Sequence, residues 1–205
     1  MSFQYKLIIS LVICIAGVSL KSIATNKIEN IDVVLIRETT TIGMHAPKGY
    51  FLDRTSAEGM GICGFYLNTG KSFHTSPTLI YARISAPGIA GEKGVESLVK
   101  EVSNSYKSQS PTFKLEKKPE YKSKSNLKYT IRYFMNGPPP NNFEAGAYLQ
   151  RDKAVMLVIY SAKTEKEFSA FLPAFYETLD RIAPYSTQLP MLTGNCLYPK
   201  TEEKK

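Results

Sequence analysis

Residues 59–73, GMGICGFYLNTGKSF, hold side chains suited to phosphate chemistry. Gly59, Gly61 and Gly64 spell G-x-G-x-x-G, and Gly64, Gly70, Lys71 and Ser72 come close to a P-loop. In both motifs the glycines follow a strand and open a helix, whose N-terminal amides hold the phosphates. Here Phe65-Tyr66-Leu67 follows Gly64 and reads as strand, while His74, Ser76 and Pro77 follow Lys71-Ser72. The spacing fails as well, because five residues rather than G-x-x-x-x-G separate Gly64 from Gly70. The stretch therefore predicts a strand and a tight turn, with no nucleotide and no cofactor.

Three other sets of residues invite a chemical reading. Ser97-Leu98-Val99-Lys100 matches the S-x-x-K of serine acyl-transfer enzymes. At 100° per residue, Ser97 and Lys100 lie about 140–200° from Val95, away from the apolar stripe. No S-D-N or K-T-G partner is present. The two histidines, His45 and His74, lack a spaced acid or cysteine set, so turn or surface positions are expected rather than a metal. G-x-S-x-G and H-E-x-x-H are absent. No catalytic, cofactor or metal residue is assigned.

The cysteines carry more. Residues 1–24 read as a signal peptide: Lys6, an apolar run from Leu7 to Leu20, then Ser22-Ile23-Ala24. The run is short for a membrane span, which needs about 20 residues, though an uncleaved anchor is the rival reading. Cys14 follows Ile13 inside the run, unlike a lipidated cysteine. Cleavage near Ala24 would leave Cys63 and Cys196, which an oxidising compartment would join in a disulfide. The expected location is periplasmic or extracellular. The formal charge would fall from +8 to +6, still basic but too mild and too dispersed to argue for nucleic acid, and none is expected.

The elements that would position these residues follow from periodicity. Residues 31–38 and 78–85 read as strands, and 60–67 as a third, with a turn at 68–71. Residues 39–53 read as irregular or edge-like. Val95, Leu98, Val99, Val102 and Tyr106 form one helical stripe. Residues 112–123 alternate, with Phe113, Leu115 and Tyr121 on one face, and Pro119 marks an edge strand. Residues 127–135 continue the hairpin, with Leu127, Tyr129, Ile131 and Tyr133 inward and Phe134 on the wet side. Residues 143–150 and 154–161 form a second hairpin, its second strand apolar throughout and hence central. Thr164 and Glu167 cap a last helix, with a kink or break expected at Pro173. The fold class is α+β: an antiparallel β-sheet with two main amphipathic helices. A single domain over 25–190 is expected, with a C-terminal tail over 191–205.

Lys114, Lys118, Lys122, Lys124, Lys128 and Arg132 crowd the 112–135 hairpin. They are a possible surface for an anionic partner, such as a lipid headgroup, an acidic glycan or an acidic protein. A solvated strand face with no partner is the alternative, and Glu116 and Glu120 dilute the charge.

The order of elements, Pro47-Lys48-Gly49-Tyr50 ahead of the early strands, and the segment VMLVIYSAKTEKEFSAFLPAFYETL at 155–179 together resemble the PsbP and DcrB superfamily of α/β/α sandwiches. The resemblance spans about residues 33–183. It implies a mostly non-catalytic exported or lumenal module that assists assemblies or binds partners. No functional residue transfers, because the superfamily shares no catalytic set. The resulting expectation is an exported binding or accessory protein of the cell envelope, its ligand a protein or anionic envelope component. A small secreted hydrolase is the alternative.

Overall fold

The computed structural model describes residues 31–37, 40–85, 94–139, 142–151, 154–185 and 196–199. The expected signal segment 1–24 and the last five residues lie outside them, as do Cys14 and most of the tail.

The N-terminal part runs β1 (Val33–Arg37), β2 (Thr40–Met44), β3 (Tyr50–Leu52), α1 (Arg54–Gly59), β4 (Gly64–Asn68) and β5 (Thr78–Ile84). Next come α2 (Gly94–Gln109), β6 (Lys114–Lys117), β7 (Tyr121–Lys122) and β8 (Lys128–Met135). The C-terminal part holds β9 (Phe143–Arg151), β10 (Ala154–Ala162), α3 (Glu165–Asp180), β11 (Ile182–Pro184) and β12 (Cys196–Leu197). Antiparallel pairing builds a large sheet in the order β3-β4-β5-β10-β9-β8-β6, with β7 also on β8. A second, four-stranded sheet runs β11-β2-β1-β12. The fold is α+β and antiparallel, as expected.

β10 lies at the centre of the large sheet, and all nine of its residues are buried. Its alternation sends Val155 and Leu157 to one face and Met156, Val158 and Tyr160 to the other. α2 covers the first face, placing Val99 and Val102 over Phe134, Tyr148 and Leu157. α1 packs beside it on the same side, with Ala57 on Phe65 and Leu67. α3 covers the second face through Phe168, Phe175 and Leu179. The small sheet joins that side through Val33, Leu35, Ile42 and Met44. The result is three layers, with the two long helices on opposite faces of the large sheet.

Several expectations are corrected. Residues 40–44 are an interior strand of the small sheet rather than an edge, because Ile42 and Met44 bury fully against the core. The expected strand 60–67 begins only at Gly64. A short helix precedes it, capped by Asp53, whose carboxylate accepts from the Ser56 amide and hydroxyl. Pro173 does not break α3. It sits on the exposed face, so the Ser169 carbonyl that loses its amide partner faces water instead.

Phe134 is not an exposed contact but 2 % exposed, because α2 covers the side assigned to solvent. Tyr121 does not share a face with Phe113 and Leu115. Lys117 pairs with Arg132, yet Tyr121 pairs with Tyr129 rather than Lys128. One extra residue around Pro119 slips the register, and with a period of two a slip of one flips the face. Tyr121 thus reaches α3, where its hydroxyl donates to Asp180 and burial is the main cause that lifts it to about 12.

Candidate functional site

The nucleotide motifs are disposed of by element order. Gly59 ends α1 and Gly64 opens β4, so a helix precedes these glycines and a strand follows, the reverse of a phosphate site. Gly70 takes φ +76° in the turn after β4, and Lys71 is exposed beyond it. Ser97 is half-buried and Lys100 exposed on α2. His45 lies against Asp32 at 3.1 Å, and His74 stacks edge-on to Phe73. Among the described residues no cluster of three or more His, Cys, Asp or Glu is placed to hold a metal.

The basic residues of the 112–135 hairpin do not gather on one face. The register slip leaves Lys114 and Lys118 on the α3 side of the sheet edge and Lys122 and Lys128 on the α2 side. Lys118 pairs with Glu116 at 2.7 Å and caps the Tyr133 ring. Lys124 reaches Asp180 at 3.3 Å, and Lys128 reaches Glu120 at 3.8 Å. Arg132 leaves the exposed set altogether. It is 7 % exposed beneath α2, where its guanidinium donates to Glu96 and to the Ile131 carbonyl.

Cys63 and Cys196 are joined, with Cα atoms 5.2 Å apart. The bridge ties β12 of the small sheet to the entry of β4 in the large one. Tyr198 reinforces it, since its hydroxyl donates to the Cys63 carbonyl while Arg54 stacks on its ring at 4.5 Å. A disulfide fits an oxidising compartment. No helix among the described residues is long and apolar enough to cross a membrane.

A recess on the α2 side of the large sheet lies outside every motif singled out in the sequence. A half-open cleft of about 310 Å³ lies between α2 and the large sheet. Phe134, Tyr148, Leu157 and Ile159 floor it, Tyr81 and Tyr106 flank it, and Arg83, Glu101 and Ser105 stand at its mouth. The local cause is Gly146 in β9. Lacking a side chain, it leaves room for the Tyr148 ring, which would lie 2.9 Å from an added Cβ. Two residues earlier, alternation points Glu144 to the same face, between Phe134 and Ser161 on the neighbouring strands.

Glu144 is the chemical centre of this cleft. Tyr106 Oη donates to its Oε2 and Ser161 Oγ to its Oε1, both at 2.7 Å. Burial lifts the carboxyl above the usual range, against these two donors, which favour the ionised form. Burial also raises Tyr81, Tyr106 and Tyr148 well above the ordinary phenol value, and the Glu144 charge adds to each. Ser161 lines a second recess of about 170 Å³ with Phe73, His74 and Lys163. A sequence signal existed in retrospect: Glu144 is an acid in an otherwise apolar hairpin strand, FEAGAYLQ.

No family model matches the chain, and no curated protein does so. Solved structures do resemble it. The solution structure of cyanobacterial PsbP (CyanoP) from Synechocystis sp. PCC 6803 is 8 % identical, with a TM-score of 0.45 over 76 % of this chain and 94 % of that one. A point mutant of the protein Mog1 is 11 % identical, with a TM-score of 0.45 over 77 % of this chain and 97 % of its own. The Saccharomyces cerevisiae Ran-binding protein Mog1p is 11 % identical, with a TM-score of 0.44 over 76 % and 95 %. The resemblance to PsbP reaches the fold and no further. At these values it carries nothing about activity or partner.

Proposed function

We propose that this chain is an exported, non-catalytic binding or accessory protein of the cell envelope, with the α2 cleft as its binding site. The observation that carries the reading is the make-up of that cleft. Its floor is aromatic and aliphatic, a few polar groups converge on it, and it is half open, the usual form of a ligand recess. Among the described residues, those lining it include no histidine or thiol. The two hydroxyls paired to its acid, those of Tyr106 and Ser161, donate to a carboxyl that burial favours in its neutral form, which is a poor general base. That weighs against the hydrolase alternative. The Cys63–Cys196 bridge and the signal pattern of residues 1–24 support export to a periplasmic or extracellular compartment. The exposed lysines Lys114, Lys122, Lys124 and Lys128 at the sheet edge would add a weak, salt-sensitive attraction to an anionic envelope component.

The test is affinity capture from the native envelope with the wild-type protein and with Val102→Trp, which fills the cleft. A partner captured by the first and lost with the second supports the reading. Capture that ignores Val102→Trp removes the cleft from it. Mass spectrometry of the native protein should find an N-terminus close to Thr25, and an intact Met1 in a membrane fraction would make the segment an anchor.

A further inference from the structure

The α2 cleft contains a carboxyl without a counter-charge. Glu144 is 7 % exposed, and both its donors, Tyr106 and Ser161, are neutral hydroxyls. Among the described residues no Lys, Arg or His ion-pairs with it. Each carboxyl oxygen uses one lone pair on its hydroxyl and keeps the other. A buried carboxylate in this state is costly, and any cation that reached it would be strongly favoured. Once ionised, the same group repels anions. At the mouth, Arg83 and Glu101 oppose one another in sign and leave the interior acid to set the balance.

The rest of the lining suits the same guest. Tyr81, Tyr106, Tyr148 and Phe134 bring four aromatic rings to one recess. Aromatic faces joined to a carboxylate form the chemistry that receives organic ammonium ions, which bind with π faces around the alkyl groups. A hydrated metal ion would find a single carboxylate and too few oxygens. The volume, about 310 Å³, stands at the low end of ligand recesses, about 300–1,000 Å³, and suits a small molecule.

We propose that the cleft binds a small organic ammonium ion, its charge against Glu144 and its alkyl groups against Tyr81, Tyr106 and Tyr148. This rests on reading the cleft as the binding site. Binding draws Glu144 into its ionised form, so a proton leaves as the cation enters. The charged and titratable groups around Glu144 are Tyr106 and Glu101 from α2, Tyr81 and Arg83 from β5, Tyr148 from β9 and Arg132 from β8. Burial holds the three phenols neutral through the neutral range. Affinity for a permanent cation should therefore rise from pH 5 to pH 8.

The experiment titrates the native protein with choline, with its neutral isostere 3,3-dimethylbutan-1-ol and with acetate, following the ring resonances of Tyr81, Tyr106 and Tyr148 by NMR. Choline should saturate and bind about tenfold or more tightly than the isostere, and Glu144→Gln should weaken choline by about tenfold. The isostere comparison uses the wild-type chain, so it stands even if the variant folds poorly. No saturation by about 10 mM choline, equal binding of the isostere, or full choline affinity in a folded Glu144→Gln protein would overturn the proposal. Saturation by acetate or the alcohol alone would also overturn it while leaving the cleft as a binding site. Envelope capture indifferent to Val102→Trp would instead count against the cleft itself.

Discussion

The Cα atoms of Cys63 and Cys196 lie 5.2 Å apart although 133 residues separate them in the chain. The bridge joins the small sheet to the large one at the point where β12, a strand of two residues, has little pairing of its own. Closing so long a loop removes much of the unfolded chain's freedom, by about 4–5 kcal/mol in the chain-entropy account. Cys63→Ala with Cys196→Ala should lower the unfolding free energy in urea by about 2–5 kcal/mol. The loss should appear first as faster amide exchange in β1, the partner of β12. Equal midpoints for the two proteins would show the bridge to be thermodynamically idle.

Gly146 and Tyr148 form a second such dependence within one strand. An added Cβ at Gly146 would stand 2.9 Å from the Tyr148 ring, and that ring is 2 % exposed with Leu157 and Phe134 around it. It has nowhere to retreat except into the cleft. Gly146→Ala should cost about 1–3 kcal/mol by overpacking and should close the recess. Chemical denaturation checks the first effect. A crystal structure of the variant with the recess still open would contradict the second.

What the sequence made legible was set by local chemistry. The periodic stripes of α2 and α3, the Thr164 capping box and the apolar β10 are signals complete within a few residues, and each matches the structure. The Cys63–Cys196 pairing was legible because two cysteines left only one choice. The small sheet was not, since β11 and β12 are very short and pair with strands at the other end of the chain, even though β1 and β2 form a local hairpin. Phe134 and Arg132 were misplaced for one reason. A strand's alternation names two faces but does not say that a helix will cover the polar one. The slip at Pro119 was equally hidden, because a bulge is visible only against its partner strand. Glu144 went unread since nothing local tells a buried acid from an exposed one.

Lys71 tests the negative conclusion about phosphates. It is exposed just after a turn in which its amide donates to the Asn68 carbonyl. Lys71→Ala should change stability by no more than about 0.5 kcal/mol in thermal unfolding, as for other exposed turn residues. Neither protein should show saturable binding of ATP or NAD by calorimetry. Micromolar ATP binding abolished by the substitution would restore the phosphate reading.

Glu144 makes stability depend on pH with a sign opposite to that of most carboxylates. Desolvation keeps its proton bound in the folded chain to a higher pH than in the unfolded chain. Between the two values the native state holds the extra proton, so rising pH favours unfolding. The contribution is complete below the ordinary carboxylate value and is lost as pH climbs through the raised native one. Each unit of separation corresponds to about 1.4 kcal/mol. Other carboxylates titrate over the same range, so the comparison must be with Glu144→Gln. That variant keeps the shape, and its amide can still meet Tyr106 and Ser161, whose hydroxyls turn to accept or donate. Urea midpoints of the two proteins from pH 4 to pH 8 isolate the group. The stability of Glu144→Gln relative to wild type should rise steadily with pH and level off once the wild-type carboxyl is fully ionised. Parallel curves would mean that solvent reaches Glu144 in the native state, and the cleft would then lose the unmatched charge on which its selectivity depends.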